Sequence, residues 1–125
     1  MTAAAPPSRL PEGVPPAVVL GLDSMQGLQT ARILAWRGVP VIGVVSNGRH
    51  YAARTNVCDR VVVAGNREEL FAFLEDFGTS AKQPPVLVPC QDSRVANISR
   101  AREQLSQWYR FVLPSADTVE LLMDK

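Results

Sequence analysis

The sequence predicts an α/β protein in which helices cover both faces of a parallel sheet of four to five strands. Three observations carry this prediction. Short continuous apolar runs are bounded by turn residues, which is typical of strands buried on both faces. Segments with an apolar period of 3.6 residues lie between these runs. The two kinds of segment alternate along 125 residues, a length that suits one domain, so we expect a Rossmann-like three-layer sandwich with the first strand in the middle of the sheet.

The first two strands are predicted at Ala17–Leu22 and Val39–Val45, both of which are nearly continuous apolar runs. A helix is predicted between them, beginning near Gly27 and ending before Gly38, which suits the residue that follows a helix. The apolar positions of this helix share one face: Leu28, Ala31, Leu34 and Ala35.

The third strand is predicted at Arg60–Ala64, after a long connection that has room for one helical turn at Tyr51–Arg54. The next helix begins at Asn66, because Asn66 and Glu69 have the spacing of a capping box. Gly78 is predicted to end that helix. Its apolar positions follow a helical period: Leu70, Phe73, Leu74 and Phe77.

The remaining elements are a strand at Val86–Val88, a helix capped by Asp92 or Ser93, and a short last strand at Phe111–Leu113. A final helix is predicted to begin after Ser115. The buried positions predicted for the first of these helices are Val95, Ile98, Ala101, Leu105 and Trp108, and those of the last helix are Val119, Leu122 and Met123.

The composition excludes several classes of protein. A net charge of +1 gives no basic face for nucleic acid, and no apolar run approaches the roughly 20 residues that span a bilayer. Residues 1–16 are rich in Pro and Ala and have no apolar signal segment, so they predict a disordered or polyproline-like lead-in. Cys58 and Cys90 have no CxxC partner and are expected to be reduced thiols. We therefore expect a cytoplasmic protein without a nucleic-acid or membrane partner.

The turn from Gly21 to Gly27 is the main candidate site, since ligands of such sheets bind beyond the carboxyl end of the first strand. Its backbone amides, with those that open the helix, suit an anion. It is not a dinucleotide fingerprint, because Asp23 stands where the second glycine is needed. The second strand ends in Ser46-Asn47-Gly48-Arg49, with no acid for a ribose. Ser46 and Arg49 leave a 2′-phosphate, and hence NADP, as an alternative, and a tight turn that binds nothing is another.

Other polar residues give weaker signals. Arg32 lies one turn into the first helix, so its guanidinium could lean back to the turn or face solvent. His50 is the single histidine and is expected at the surface. Cys90-Gln91-Asp92 follows the fourth strand and so faces the same edge. No cluster has metal-ligand spacing and no catalytic triad is evident, so neither a catalytic nor a metal-binding residue is predicted.

Four segments, in this order, are GLDSMQGLQTARILAWRGVPVIGV, YAARTNVCDRVVV, VLVPCQD and LPSADTVELLMDK. Together they resemble the N-terminal domain of ATP-grasp enzymes, and more narrowly the carboxylate–amine ligases related to D-aspartate ligase. The resemblance covers about Ala17 to Lys125 and depends on order and spacing. In that family a helix ending in a pair similar to Asp124-Lys125 leads into the ATP-grasp region.

The resemblance implies that residues 17–125 are a pre-ATP-grasp domain, truncated before the ATP-grasp domain and inactive alone. It implies that the missing C-terminal domain of the same chain binds ATP and magnesium, so this part holds no cofactor. The reaction would activate a small carboxylate as an acyl phosphate, which an amine then attacks. The residues implicated in substrate binding are Gly21, Leu22, Asp23, Ser24, Gly27, Arg32, Arg54 and Thr55.

Two positions depart from the family pattern. Asp23 does not suit a purely anion-binding turn and could instead receive the amine, and Thr55 stands where relatives commonly have serine. The competing interpretations are a small NADP-binding module and a non-enzymatic interaction domain, the latter forming a homodimer through exposed Phe71 or Trp36.

Overall fold

The sheet is of the predicted class, and its first strand has the predicted interior place. A computed structural model describes residues 14–111, 113 and 115–123. Within them, four parallel strands form a sheet in the order β3-β2-β1-β4, so β1 lies in the interior, as predicted. The strands are β1 at Ala17–Leu20, β2 at Val41–Val45, β3 at Arg60–Val63 and β4 at Val86–Pro89.

Helices connect these strands and cover the sheet. The helices are α1 at Met25–Trp36, α2 at Arg67–Ser80, α3 at Asp92–Arg100, α4 at Arg102–Leu105 and α5 at Ala116–Met123. The connection from β2 to β3 contains a single 3₁₀ turn at Tyr51–Arg54, where the sequence predicts one helical turn.

Two apolar clusters, one on each face of the sheet, make up the core. The cluster under α1 includes Val19, Leu28 and Ala31. The cluster under α2 and α3 includes Leu20, Leu74 and Ile98. Because successive strand residues point to opposite faces, β1 contributes to both clusters and is fully buried. The result is the predicted three-layer, Rossmann-like arrangement.

The register of the strands brings three connections to one edge of the sheet. Leu20, the last residue of β1, pairs with Val44 on one side and Pro89 on the other. The turn after β1, the residues after β2 and the residues after β4 therefore meet at the carboxyl edge, where such sheets bind ligands.

The predicted fifth strand does not form in the described part of the chain. Arg110 makes an isolated parallel bridge with Val86, and its amide donates to the carbonyl of Pro85. Phe111 then packs against the core cluster under α2 and α3 and does not extend the ladder. Val112 lies outside the described residues.

The helix α2 begins as predicted but does not end at Gly78. The Asn66 side chain accepts a hydrogen bond from the Glu69 amide at 2.8 Å, which confirms the cap. Gly78 is a buried residue inside the helix. Trp108 packs so closely against it that a Cβ on Gly78 would lie 2.7 Å from Trp108 Cβ. Its small size thus serves packing, while the helix continues to Ser80.

The helix after β4 differs from its prediction at both ends. Gln91 occupies the N-cap without a side-chain hydrogen bond, and Asp92 is already helical, so neither predicted cap forms. At Ala101 the backbone leaves helical geometry, which divides the predicted single helix into α3 and α4. Of the predicted stripe, Ile98 and Leu105 are buried, and the other three residues are half-buried.

The remaining predictions concern the two ends of the chain. Most of the lead-in at 1–16 lies outside the described residues. Pro16 belongs to the folded part, since it is buried and its carbonyl accepts from the Val86 amide at 2.9 Å. Ser115 caps α5 as predicted, through a 3.3 Å hydrogen bond from the Thr118 amide, and Val119 is buried.

Candidate functional site

The turn between β1 and α1 is closed by hydrogen bonds of its own. Gly21 has a φ of 87°, a left-handed conformation that favours glycine. The amides of Gly21 and Leu22 both donate to the Val44 carbonyl, at 3.1 and 2.9 Å. The Ser24 amide and hydroxyl both donate to the Gly21 carbonyl, at 2.9 and 2.6 Å. Most polar groups of the turn are therefore used inside the protein, which leaves fewer anion donors than the sequence suggests.

Gly27 lets α1 approach this turn closely. A Cβ at Gly27 would lie 1.9 Å from the Gly21 carbonyl oxygen, so any larger residue would displace the helix or the turn. Ser24 is the N-cap of α1, and its hydroxyl accepts from the Gly27 amide at 2.9 Å. Among the described residues, the amides of Met25 and Gln26 have no acceptor. These two first-turn amides are the donors that α1 still offers to a ligand.

Asp23 joins the turn to the end of β2. Its Oδ2 accepts from the Ser46 amide at 3.0 Å, the Ser46 hydroxyl at 2.8 Å and the Asn47 amide at 3.3 Å. Its Oδ1 is occluded from solvent and has no hydrogen-bond partner among the described residues. Asp59 Oδ1 is in the same state, and an oxygen that water cannot reach is also closed to a ligand, so Oδ1 alone does not mark a ligand contact.

The charge of Asp23 follows from these contacts. Burial acts to raise the pKa of its carboxyl group, but the hydrogen bonds from Ser46 and Asn47 outweigh burial and hold the pKa below 3.8. Asp23 is therefore an anion near neutral pH. A carboxylate in this place favours a cationic donor such as an ammonium group and opposes an anion.

The structure does not join the other three predicted site residues to the turn. Arg32 is exposed and lies beside Ala35, Trp36 and Val57. Arg54 is exposed at the end of the 3₁₀ turn, and Thr55 Oγ1 accepts from the Val57 amide at 3.2 Å. Within the described ranges, no hydrogen bond connects Arg32, Arg54 or Thr55 to the Gly21–Gly27 turn.

Two residues that the sequence analysis did not select as ligand contacts lie at this edge. The side chain of Gln91 covers Gly21, since a Cβ on Gly21 would lie 2.8 Å from Gln91 Cγ. Arg94, in the first turn of α3, is buried, and its Nη2 donates to the Ala64 carbonyl at 3.3 Å. The sequence signal for Arg94 was an arginine a few residues after the end of a predicted strand. The burial of Arg94 depends on tertiary packing, which the spacing of residues does not reveal.

His50 and the two cysteines offer no evident reactive group. His50 Nδ1 accepts from the Ala52 amide at 3.1 Å and thereby caps the 3₁₀ turn. Burial, with a smaller contribution from Asp59, raises the pKa of the Cys58 thiol to about 11. Burial also raises the pKa of Cys90, partly offset by a contact with Thr30. Both thiols are therefore protonated near neutral pH and poor nucleophiles.

In the part of the chain that the structure describes, no three His, Cys, Asp or Glu side chains come together as a metal site. Nor is any described helix long and apolar enough to cross a bilayer. The fold and its edge define a Rossmann-like α/β domain with a polar turn over β1. Neither comparison with protein-family models nor comparison with curated proteins finds a match.

Proposed function

We propose that this chain is the substrate-side domain of an ATP-dependent carboxylate–amine ligase, and that the edge above β1 holds the substrate. The observation that carries the proposal is Asp23, a half-buried carboxylate at the carboxyl edge of the sheet whose lowered pKa keeps it ionised. Its negative charge would attract an ammonium group. The resemblance of the segments from Ala17 to Lys125 to pre-ATP-grasp domains supports the choice of reaction.

Both groups that such a ligase joins have complementary partners at this edge. The free amides of Met25 and Gln26 point from the start of α1, where a carboxylate or acyl phosphate is stabilised. Asp23 lies two residues earlier and suits the amine. The separation of these contacts along one turn fits substrates that carry opposite charges, or two substrates held side by side.

In the proposed reaction, the carboxylate oxygen attacks the γ-phosphorus of ATP, which gives an acyl phosphate and ADP. The amine nitrogen then attacks the acyl carbon, the C–N bond forms, and phosphate leaves while the amine loses a proton. ATP and its magnesium would be bound by a further domain and supply the activation. The role of this chain would be to bind and orient the two reacting groups, which lowers the entropic cost of bringing them together.

The interaction-domain alternative has one observation in its favour. Trp36 is 71% exposed and Ile33, one turn earlier on α1, is 57% exposed, so the outer side of this helix is partly apolar. Phe71, the other residue predicted to be exposed, is half-buried against the core cluster under α2 and α3. A dimer contact, if one forms, would therefore use α1.

The test of the ligase proposal uses the complete polypeptide that the gene encodes, including any residues beyond Lys125. ADP and phosphate release are measured with mixtures of small carboxylates and amines. We expect turnover that requires both substrates. We expect Asp23→Asn to raise KM for the amine by about tenfold, the size of a lost charge-assisted contact, with KM for ATP unchanged. Glu75→Gln, an exposed change on α2, is the matched control.

Two outcomes would overturn the proposal. The first is a reading frame that ends at Lys125, because no ATP-grasp domain would then exist. The second is a complete polypeptide that releases no ADP with any pair of substrates. An Asp23→Asn enzyme with an unchanged KM for the amine would contradict the assignment of Asp23 alone.

A further inference from the structure

Arg94 is a buried cation with little to bind inside the protein. Only 7% of its surface is exposed, yet the single side-chain hydrogen bond it makes in the described part of the chain is from Nη2 to the Ala64 carbonyl. A guanidinium group carries five N–H donors in a planar fork. Nε and Nη1 are therefore left without a protein acceptor among the described residues.

Among the residues that the structure describes, no carboxylate forms an ion pair with this guanidinium. The ion pair found among the described residues joins Arg100 to Glu120 at 2.9 Å, on the exposed side of α3. Glu69, in the first turn of α2 after Ala64, instead accepts from the Gly65 amide at 2.7 Å. Nε and Nη1 are not occluded from solvent, so the buried side chain holds its unpaired donors where a ligand can reach them.

The place of Arg94 in the fold is the carboxyl edge of the sheet. Ala64 is the first residue after β3. Arg94 lies in the first turn of α3, the helix that follows β4 in the sequence. That end of α3 has no side-chain cap, so the amides of Asp92 and Ser93 have no acceptor among the described residues. Gln91, which covers Gly21, links this region to the turn over β1. One negative group, the exposed carboxylate of Asp92, also lies here.

We propose that Arg94 is the cationic contact for an oxyanion, the carboxylate or phosphate group of a small molecule, bound at the edge between Ala64 and the start of α3. The planar fork donates to two oxygens of such a group at once, and the uncapped amides of α3 add to the favourable field. This inference deepens the proposed function, because it names the group that faces the carboxylate or acyl phosphate. Its test involves no ATP, so it can fail while the ligase proposal stands.

A purely structural role for Arg94 makes a different prediction. If its task is to tie the β3–α2 connection to α3 through Ala64, the side chain needs no anion, and adding one leaves its environment unchanged. If its task is to bind an oxyanion, the resonance of its own Nε should move when one is added.

The experiment titrates the ¹⁵N-labelled chain with sodium phosphate or sodium succinate, at an ionic strength held constant with sodium chloride. The Nε–H resonance of Arg94 is followed by NMR. We expect a saturable shift with at least one of the two anions and none with chloride alone. A response to phosphate alone indicates a phosphoryl group as the ligand, and a response to succinate alone indicates a carboxylate.

Variants decide whether Arg94 is responsible, with binding followed through the backbone amides of Asp92 and Ser93. Arg94→Lys keeps the charge but loses the fork, so it should weaken binding about tenfold, and Arg94→Met should abolish saturation. Arg110→Met removes an exposed arginine beside Val86, at the opposite end of β4, and should bind like the unchanged protein. The proposal is overturned if neither anion gives a saturable shift, or if Arg94→Lys and the unchanged protein bind equally.

Discussion

The glycines of the first turn show how a single atom sets the shape of this site. Gly21 needs its positive φ, and Gly27 needs the absence of a Cβ, because α1 begins directly against the Gly21 carbonyl. The close approach also brings Ser24 to the Gly27 amide, which completes the cap. A spacing that looks like a phosphate-binding motif therefore has a packing explanation for both glycines.

Replacing Gly27 tests that explanation. In Gly27→Ala the new methyl group would lie 1.9 Å from a backbone oxygen, which cannot rotate away as a side chain can. We expect the free energy of unfolding to fall by about 2–3 kcal/mol, the upper part of the usual range for overpacking. Chemical denaturation followed by circular dichroism measures the change.

Gly65→Ala is the control for the Gly27 substitution. A Cβ at Gly65 would lie 3.4 Å from its nearest neighbour, Glu69 Oε1, which is ordinary contact with the end of a flexible side chain. Its effect should stay within about 0.5 kcal/mol. Equal losses in the two variants would show that the tight approach of α1 to the turn does not explain the glycine at Gly27.

At the scale of elements, Asp23 fastens the β1–α1 turn to the residues after β2. Three donors from Ser46 and Asn47 converge on one of its oxygens. Asp59 makes a similar tie at the start of β2, where its Oδ2 accepts from the Val41 amide at 2.9 Å. Short polar side chains thus connect neighbouring strands beyond the ends of the backbone ladder.

The tie at Asp23 predicts a pH dependence of stability. The folded pKa lies below the value of 3.8 expected without these contacts, so in acid the unfolded chain binds more protons than the folded one. The contribution of Asp23 is therefore complete above the unfolded pKa and is lost as the pH falls through the folded pKa. We expect Asp23→Asn to be less stable at neutral pH and to lose less stability on acidification. Denaturation midpoints measured from neutral pH down to about pH 3 test this.

Glu120→Gln is the comparison for that experiment. The hydrogen bond from Arg100 lowers the pKa of Glu120 as well, but both side chains are exposed, at 55% and 48% of their surface. Salt should therefore screen the effect of Glu120 more strongly than that of Asp23. If Asp23→Asn and the unchanged protein show parallel acid profiles, the contacts to Ser46 and Asn47 do not stabilise the charged form.

At the scale of the whole molecule, alternation of apolar runs and helical periods was enough to predict the sheet, its parallel strands and the interior place of β1. One departure from the predicted elements has a tertiary cause. Gly78 does not end α2 because Trp108 and Tyr109 pack on it, and the Tyr109 hydroxyl donates to the Leu74 carbonyl at 2.8 Å. Contacts between α2 and the residues after α4, far apart in sequence, cannot be inferred from local periodicity.

The place of the turn that forms the candidate site was predictable from the sequence, but its contacts were not. Because ligands of such sheets bind at the carboxyl edge, the turn from Gly21 to Gly27 could be selected from the sequence. Within it, Ser24 is the cap of α1. The use of Asp23 to hold Ser46 depends on the alignment of β1 with β2, and the burial of Arg94 depends on how α3 crosses the sheet. Neither arrangement has a signature in the spacing of residues.

The arrangement of the whole edge predicts that NADPH does not bind. A dinucleotide would place its pyrophosphate over the β1 turn and its 2′-phosphate at the end of β2. The amides of Gly21 and Leu22 already donate to Val44, and the hydroxyl and amide of Ser46 already donate to ionised Asp23. We expect no saturable change in NADPH fluorescence at cofactor concentrations up to about 1 mM.

In Asp23→Ala the Ser46 donors are released and the repelling charge is gone, so any latent affinity for the 2′-phosphate should emerge in that variant first. Saturable micromolar binding by the unchanged protein would contradict this account and favour the NADP-binding alternative.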